Sequence, residues 1–292
     1  MNACRTIAGT FGALLLCAAG FAQAQEKVQF PSLDKWQGNA PLAIDGYWFK
    51  PAGKEKSAAV AMFHGCAGAL DKKGQIGARF REMAELLNGM GYGVLLIDSF
   101  NPRGTREICT TRPNQREIHE EQRWMDAFGA IDYLNSRPDV IPGKIAAIGF
   151  SHGGTNALEV MNASLPPKLA GKPGFVASVA MYPGCGDTVR ASPEFKAYGP
   201  LLIMAGELDD WTPAEYCIRL AKRSAGRGEP VELVVYPGAY HGFDMTSPVK
   251  VRTDVTHGRN GGAGVHVGGQ PEARADAYRR IREFFAKQLD GK

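Results

Sequence analysis

Residues 144–150 form an almost continuously apolar run that ends on Ser151, and Gly149 and Gly153 stand two positions away on either side of that serine. A helix reads from just after it. A strand that turns into a helix around one residue brings neighbouring chains very close, and glycine removes the side chains that would block the approach. Glycine and serine are common, so the Gly-x-Ser-x-Gly pattern alone is weak and an ordinary strand-to-helix turn is the plain alternative. The strand before it and the helix after it make it specific. No other segment constrains the chain as tightly.

The remaining elements fit that turn. Residues 41–50 alternate as an early strand, and 58–63 form an apolar run, ending at His64, that reads as a strand buried on both faces. Phe80, Met83, Ala84, Leu86 and Leu87 recur at helical spacing until Gly89 and Gly91. A second buried strand covers 92–97 and ends at Asp98. Trp124, Phe128, Ile131 and Leu134 mark a helix that stops before Pro138. Strands at 176–181, 201–205 and 231–236 follow, with helices starting near Gly153, Thr212 and Glu272. Apolar strands alternating with helices predict an α/β protein with a mostly parallel sheet covered on both faces, and function at the carboxyl ends of its strands. With the serine turn, this is the pattern of the α/β-hydrolase fold.

The first residues read as an export signal. Arg5 gives a positive start, 7–21 is an almost unbroken apolar run, and Ala22-Gln23-Ala24 offers a small-x-small cleavage site. The run is shorter than the ~20 residues that span a bilayer, and an ordinary surface helix would show a polar stripe. Leu16 before Cys17 is too bulky for a lipidation site. The expected organisation is a signal peptide over 1–24 and one domain over 25–292, periplasmic or secreted, with no membrane attachment after cleavage. The formal charge of +4 becomes +3 without Arg5, a balance that predicts no nucleic-acid partner. Cys66, Cys109, Cys185 and Cys217 remain after cleavage. In an oxidising compartment they predict two disulfides, with three pairings open. Their spacing with histidine predicts no metal site.

A serine hydroxyl needs a base to take its proton, and the base needs an orienting partner. In this fold the partners follow in the order serine, acid, histidine. Residues 201–205 lead into Gly206-Glu207-Leu208-Asp209-Asp210-Trp211-Thr212-Pro213, where both aspartates qualify by position. Asp209 is favoured by its offset from Gly206 and Pro213; Asp210 otherwise reads as a cap for the following helix. After the last strand, Tyr240-His241-Gly242 supplies the one histidine in place for the base. His119, His257 and His266 read as structural or solvated. The oxyanion donors expected are the backbone N–H of His152 and, from His64-Gly65-Cys66-Ala67-Gly68, that of Cys66.

Gly149 to Gly154, Gly206 to Pro213, and Tyr236-Pro237-Gly238-Ala239-Tyr240-His241-Gly242-Phe243-Asp244 together resemble the dienelactone hydrolase family, from about residue 41 to the end. The resemblance implies cofactor-free hydrolysis of an ester or lactone by Ser151, Asp209 and His241. The chain departs from the family's namesakes in two ways. It has Ser151 where they use cysteine, and His64-Gly65-Cys66 where they carry a glutamate that helps switch the cysteine on. Both departures fit a conventional serine mechanism and leave the substrate open. The chain also resembles secreted relatives with cysteines in the contexts of Cys66 and Cys185. The strand neighbours of this fold then imply the pairings Cys66–Cys109 and Cys185–Cys217.

The loop over 99–116 carries Arg103, Arg106, Arg112 and Arg116 against Glu107 alone. One of these arginines, Arg103 or Arg106 first, is expected to bind a substrate carboxylate; the bland alternative is a solvated loop. Trp211 and Tyr240 are candidate pocket walls, or packing residues. The competing readings are a peptidase of the prolyl-oligopeptidase type, a non-catalytic binding protein on the same fold, and an acyltransferase. The peptidases usually carry an added large domain, for which the chain before residue 41 has no room, and a binding protein predicts a missing triad member.

Overall fold

A computed structural model describes residues 25–191, 194–259 and 263–291; the expected signal peptide lies outside them. Eight strands form one sheet: β1 (Gln25–Pro31), β2 (Ala43–Phe49), β3 (Ser57–Phe63), β4 (Gly93–Asp98), β5 (Val140–Phe150), β6 (Ser178–Met181), β7 (Leu201–Gly206) and β8 (Val231–Tyr236), in the order β1-β2-β4-β3-β5-β6-β7-β8. The pairs from β4 across to β8 are parallel, and β1 and β2 are antiparallel at one edge. The helices are α1 (Ala78–Gly89), α2 (Glu120–Ser136), α3 (His152–Glu159), α4 (Pro166–Leu169), α5 (Cys185–Arg190), α6 (Ala214–Gly226) and α7 (Pro271–Phe285). This is the expected α/β-hydrolase fold.

The alternation of side chains along each strand explains why the central runs are apolar throughout. In β3, Ala59, Ala61 and Phe63 point into a core with α2, α3 and α6, while Val60 and Met62 join α1 and α7 on the other face. Leu95 and Ile97 of β4 divide from Val94 and Leu96 in the same way. A strand covered on both sides has no solvent face to carry polar residues.

Some elements went unread in the sequence. β1 pairs along its whole length with β2, yet only Val28 and Phe30 are buried, so its pattern is weak. Helices α4 and α5 are short. A two-stranded hairpin, β9 (Lys250–Arg252) with β10 (Val265–Val267), stands apart from the sheet. Its Val265 and Val267 pack with Trp211, Phe100, Ile108, Ile118 and the Cys66–Cys109 pair in a third apolar cluster at the site end of the fold.

Candidate active site

The carboxyl ends of β5, β7 and β8 bring three distant residues together. Ser151 follows β5 directly with φ 56° and ψ −118°, a left-handed backbone that a serine adopts only under tertiary constraint. A Cβ on Gly149 would lie 1.9 Å from the Gly153 carbonyl oxygen, and one on Gly153 would lie 2.2 Å from that of Phe63. The turn is therefore wedged against β3. Ser151 Oγ lies 2.8 Å from His241 Nε2, and His241 Nδ1 lies 2.8 Å from Asp209 Oδ2. Nδ1 faces a carboxylate and donates to it, which leaves Nε2 to accept the serine proton. His241 and Asp209 are both buried, and the rings of Tyr182 and Trp211 each lie 4.8 Å from the imidazole.

The two candidate aspartates go separate ways. Asp209 Oδ1 accepts the backbone N–H groups of Trp211 and Thr212, and its Oδ2 accepts the Thr212 hydroxyl at 2.9 Å besides His241. Asp210 instead accepts the backbone N–H of His266 at 2.9 Å and faces its Nδ1 at 2.8 Å. It ties the acid turn to the β10 hairpin. The cap reading for Asp210 does not hold, because α6 begins later, after Pro213.

Cys66 and His152 flank Ser151 on the wall of one cavity. His152 is the first residue of α3, so its N–H has no partner within the helix. A Cβ on Gly65 would come within 3.2 Å of the Phe150 carbonyl oxygen, so the Cys66 loop lies directly over the serine turn. Disulfides join Cys66 to Cys109 and Cys185 to Cys217, the pairing the resemblance implied. The first fastens the Cys66 loop to the arginine-rich loop, whose Ile108 N–H also donates to the Cys66 carbonyl. His64, before this loop, accepts the Ser99 N–H on Nε2 and donates from Nδ1 to the Gly65 carbonyl. Burial holds its pKa well below the usual histidine value, with the nearby Arg123 charge adding to the effect.

Two cavities open on Ser151. One, of about 500 Å³, runs between the 113–120 segment, α5 and Trp211. The other, of about 850 Å³, runs toward α1 and the β9 strand. Trp211 lines both, and Arg106 lines the larger.

Arg103 is a correction. It is buried away from both cavities, donating to Asp126 from Nη1 and Nη2 at 2.8 Å each, to Asp34 at 2.8 Å and to the Ser99 carbonyl. Both terminal nitrogens are taken by these partners and Nε is buried, so the guanidinium presents no donor to either cavity. Tyr240 also lies off both cavities and stacks on His266 at 4.8 Å. Arg116, His119 and His257 do line the smaller cavity. His257 accepts the Trp211 indole N–H at 3.1 Å, and burial takes its pKa down to about 4. Sequence reasoning missed Thr212 and Tyr182, which complete the surroundings of Asp209 and His241; the position of Thr212 just after the acid was the one signal available. Among the described residues there is no cluster of metal-ligating side chains, and no helix is long and apolar enough to cross a membrane.

The dienelactone hydrolase family matches residues 44–289. A probable 2-oxo-3-(5-oxofuran-2-ylidene)propanoate lactonase of Bradyrhizobium is 26% identical over 176 residues, covering 58% of this chain and 68% of that protein. Among solved structures, the dienelactone hydrolase-like promiscuous phosphotriesterase P91 from metagenomic libraries superposes with a TM-score of 0.63 at 20% identity, covering 91% of this chain and 98% of that one. Esterase 2 of Thermogutta terrifontis, phosphorylated by paraoxon, gives 0.61 at 18% identity over 91% and 94% of the two chains. The structural likenesses carry the fold, and the match along most of the sequence carries the family: the chain belongs to the dienelactone hydrolase family, as a hydrolytic enzyme of the α/β-hydrolase fold.

Proposed function

We propose that the protein hydrolyses a carboxylic ester or lactone through an acyl-enzyme on Ser151, with His241 as base and Asp209 as its orienting acid. The observation that carries this reading is the unbroken line from Ser151 Oγ through His241 to Asp209, with both links at 2.8 Å. His241 Nε2 takes the serine proton as Oγ attacks the carbonyl carbon. The N–H groups of Cys66 and His152 receive the oxyanion, and the protonated imidazole then gives its proton to the leaving alkoxide. Water, activated by the same imidazole, attacks the acyl-enzyme and frees Ser151.

The cavities on either side of Ser151 give room for a substrate with a sizeable group on both sides of the scissile bond. Arg106 beside the larger cavity and Arg116 beside the smaller keep the carboxylate-binding idea alive for those two residues. The export reading joins the proposal, supported by the paired cysteines and by the apolar run after Arg5. The protein isolated from a periplasmic or culture fraction should begin at Gln25.

The decisive experiment is to treat the protein with a fluorophosphonate and map the adduct by mass spectrometry. A label on Ser151 that vanishes in His241→Ala is expected. A folded protein that takes no label would point to the binding-protein reading. A panel of p-nitrophenyl esters, lactones and peptide amides, each with and without a carboxylate, then separates esterase from peptidase and tests Arg106 and Arg116.

A further inference from the structure

Helix α2 buries an arginine that the reaction above does not use. Arg123 is 1% exposed. Asp126, one turn along the same helix, is held by Arg103 instead. The partners of Arg123 are neutral: Nη1 lies 2.7 Å from His152 Nδ1, Nη2 donates to the His64 carbonyl at 2.6 Å, and the guanidinium carbon sits 5.1 Å from the Phe100 ring centre. A guanidinium only donates, so His152 Nδ1 accepts and that ring carries its proton on Nε2, which faces Glu120 at 3.4 Å. Burial, with the Arg123 charge beside it, keeps His152 neutral by pushing its pKa well below the usual value. Burial also brings Arg123 down to about 10, which leaves it a cation at neutral pH.

Each of these two contacts ends on one half of the oxyanion hole. His64 stands two residues before Cys66, and His152 carries the opposite N–H. We propose that Arg123 is a positioning residue for the oxyanion hole: its planar fork sets the spacing between the Cys66 loop and the His152 amide. Its charge, hydrogen-bonded only to neutral acceptors, also favours the anionic tetrahedral state over the neutral ester. The inference rests on the Ser151 reading, since the hole has meaning only if the serine attacks a carbonyl.

The test compares wild type with Arg123→Lys and Arg123→Met, by kinetics on a p-nitrophenyl ester and by inhibition with an alkylboronic acid, which forms an anionic tetrahedral adduct on serine. Arg123→Lys keeps the charge but loses the planar fork that joins the two acceptors. We expect both variants to lose kcat, by roughly 10- to 100-fold, somewhat less than removal of a whole oxyanion donor. Boronate affinity should fall in parallel with KM nearly unchanged, and the lysine variant should retain the larger share. Wild-type kcat and boronate affinity in Arg123→Lys would overturn the proposal, as would a loss confined to KM or to the melting temperature. An unlabelled, inert wild type would instead sink the Ser151 reading itself.

Discussion

At the scale of single residues, Asp209 is held more tightly than His241. Four donors converge on Asp209: two backbone N–H groups, the Thr212 hydroxyl and His241 Nδ1. A carboxylate so surrounded has one orientation, and it fixes both the tautomer and the angle of the imidazole. Asp209→Asn should therefore lower kcat on the order of 10³- to 10⁴-fold with KM nearly intact, because an amide does not hold Nδ1 protonated. Thr212→Val removes one of four bonds and should cost about 1 kcal/mol in kcat/KM, several-fold in rate. Steady-state kinetics on one activated ester check both. An Asp209→Asn enzyme as fast as wild type would return the role to Asp210, which the structure commits to His266.

At the scale of elements, the serine turn depends on β3, its neighbour in the sheet. A Cβ on Gly153 would meet the backbone oxygens of Phe63 and His64 at 2.2 and 2.4 Å. Backbone in the sheet centre cannot step aside as a flexible side chain can. Gly153→Ala is expected to destabilise the protein by roughly 3 kcal/mol or more, and to suppress labelling of Ser151 even in the folded fraction. Denaturant unfolding and the fluorophosphonate adduct measure the two effects separately. The turn was the most legible element in the sequence because its requirement is local: a strand, two glycines and a helix start within ten residues. The β9–β10 hairpin was the least legible. Its three-residue strands carry too few side chains for any periodicity, and its place comes from Asp210 and from packing on Trp211.

At the scale of the whole molecule, buried charge and buried histidine govern stability. Arg103 links α2 through Asp126 to the segment before β2 through Asp34. Its removal leaves Asp126 buried and uncompensated, so Arg103→Ala should cost about 3–5 kcal/mol of stability while KM stays unchanged. A raised KM with an unaltered melting curve would restore it as a substrate contact. The histidines set the response to pH. His64 and His152 have folded pKa values below the ordinary value near 6.5, so the unfolded chain takes up protons that the folded one refuses. Their contribution is complete above about pH 6.5 and falls as pH drops below it, by at most about 1.4 kcal/mol per pH unit for each. Melting temperature followed from pH 7.5 to 5 should decline, and His152→Gln should flatten that slope.

Local and ordinal information settled the architecture and picked out Ser151, Asp209 and His241, which the fold brings within hydrogen-bonding distance of one another. Continuous apolar runs mark strands with two covered faces, the glycines around Ser151 mark the turn, and the fold's serine–acid–histidine order selects His241 from six histidines. What depends on contacts between distant residues needed the tertiary structure. Neither the commitment of Arg103 to carboxylates 23 and 69 residues away nor the fork of Arg123 between His152 and the His64 carbonyl has a sequence signature. An arginine's stem is the same whether its head ends in solvent, a pocket or a core. Only the folded chain decides which acceptors it meets.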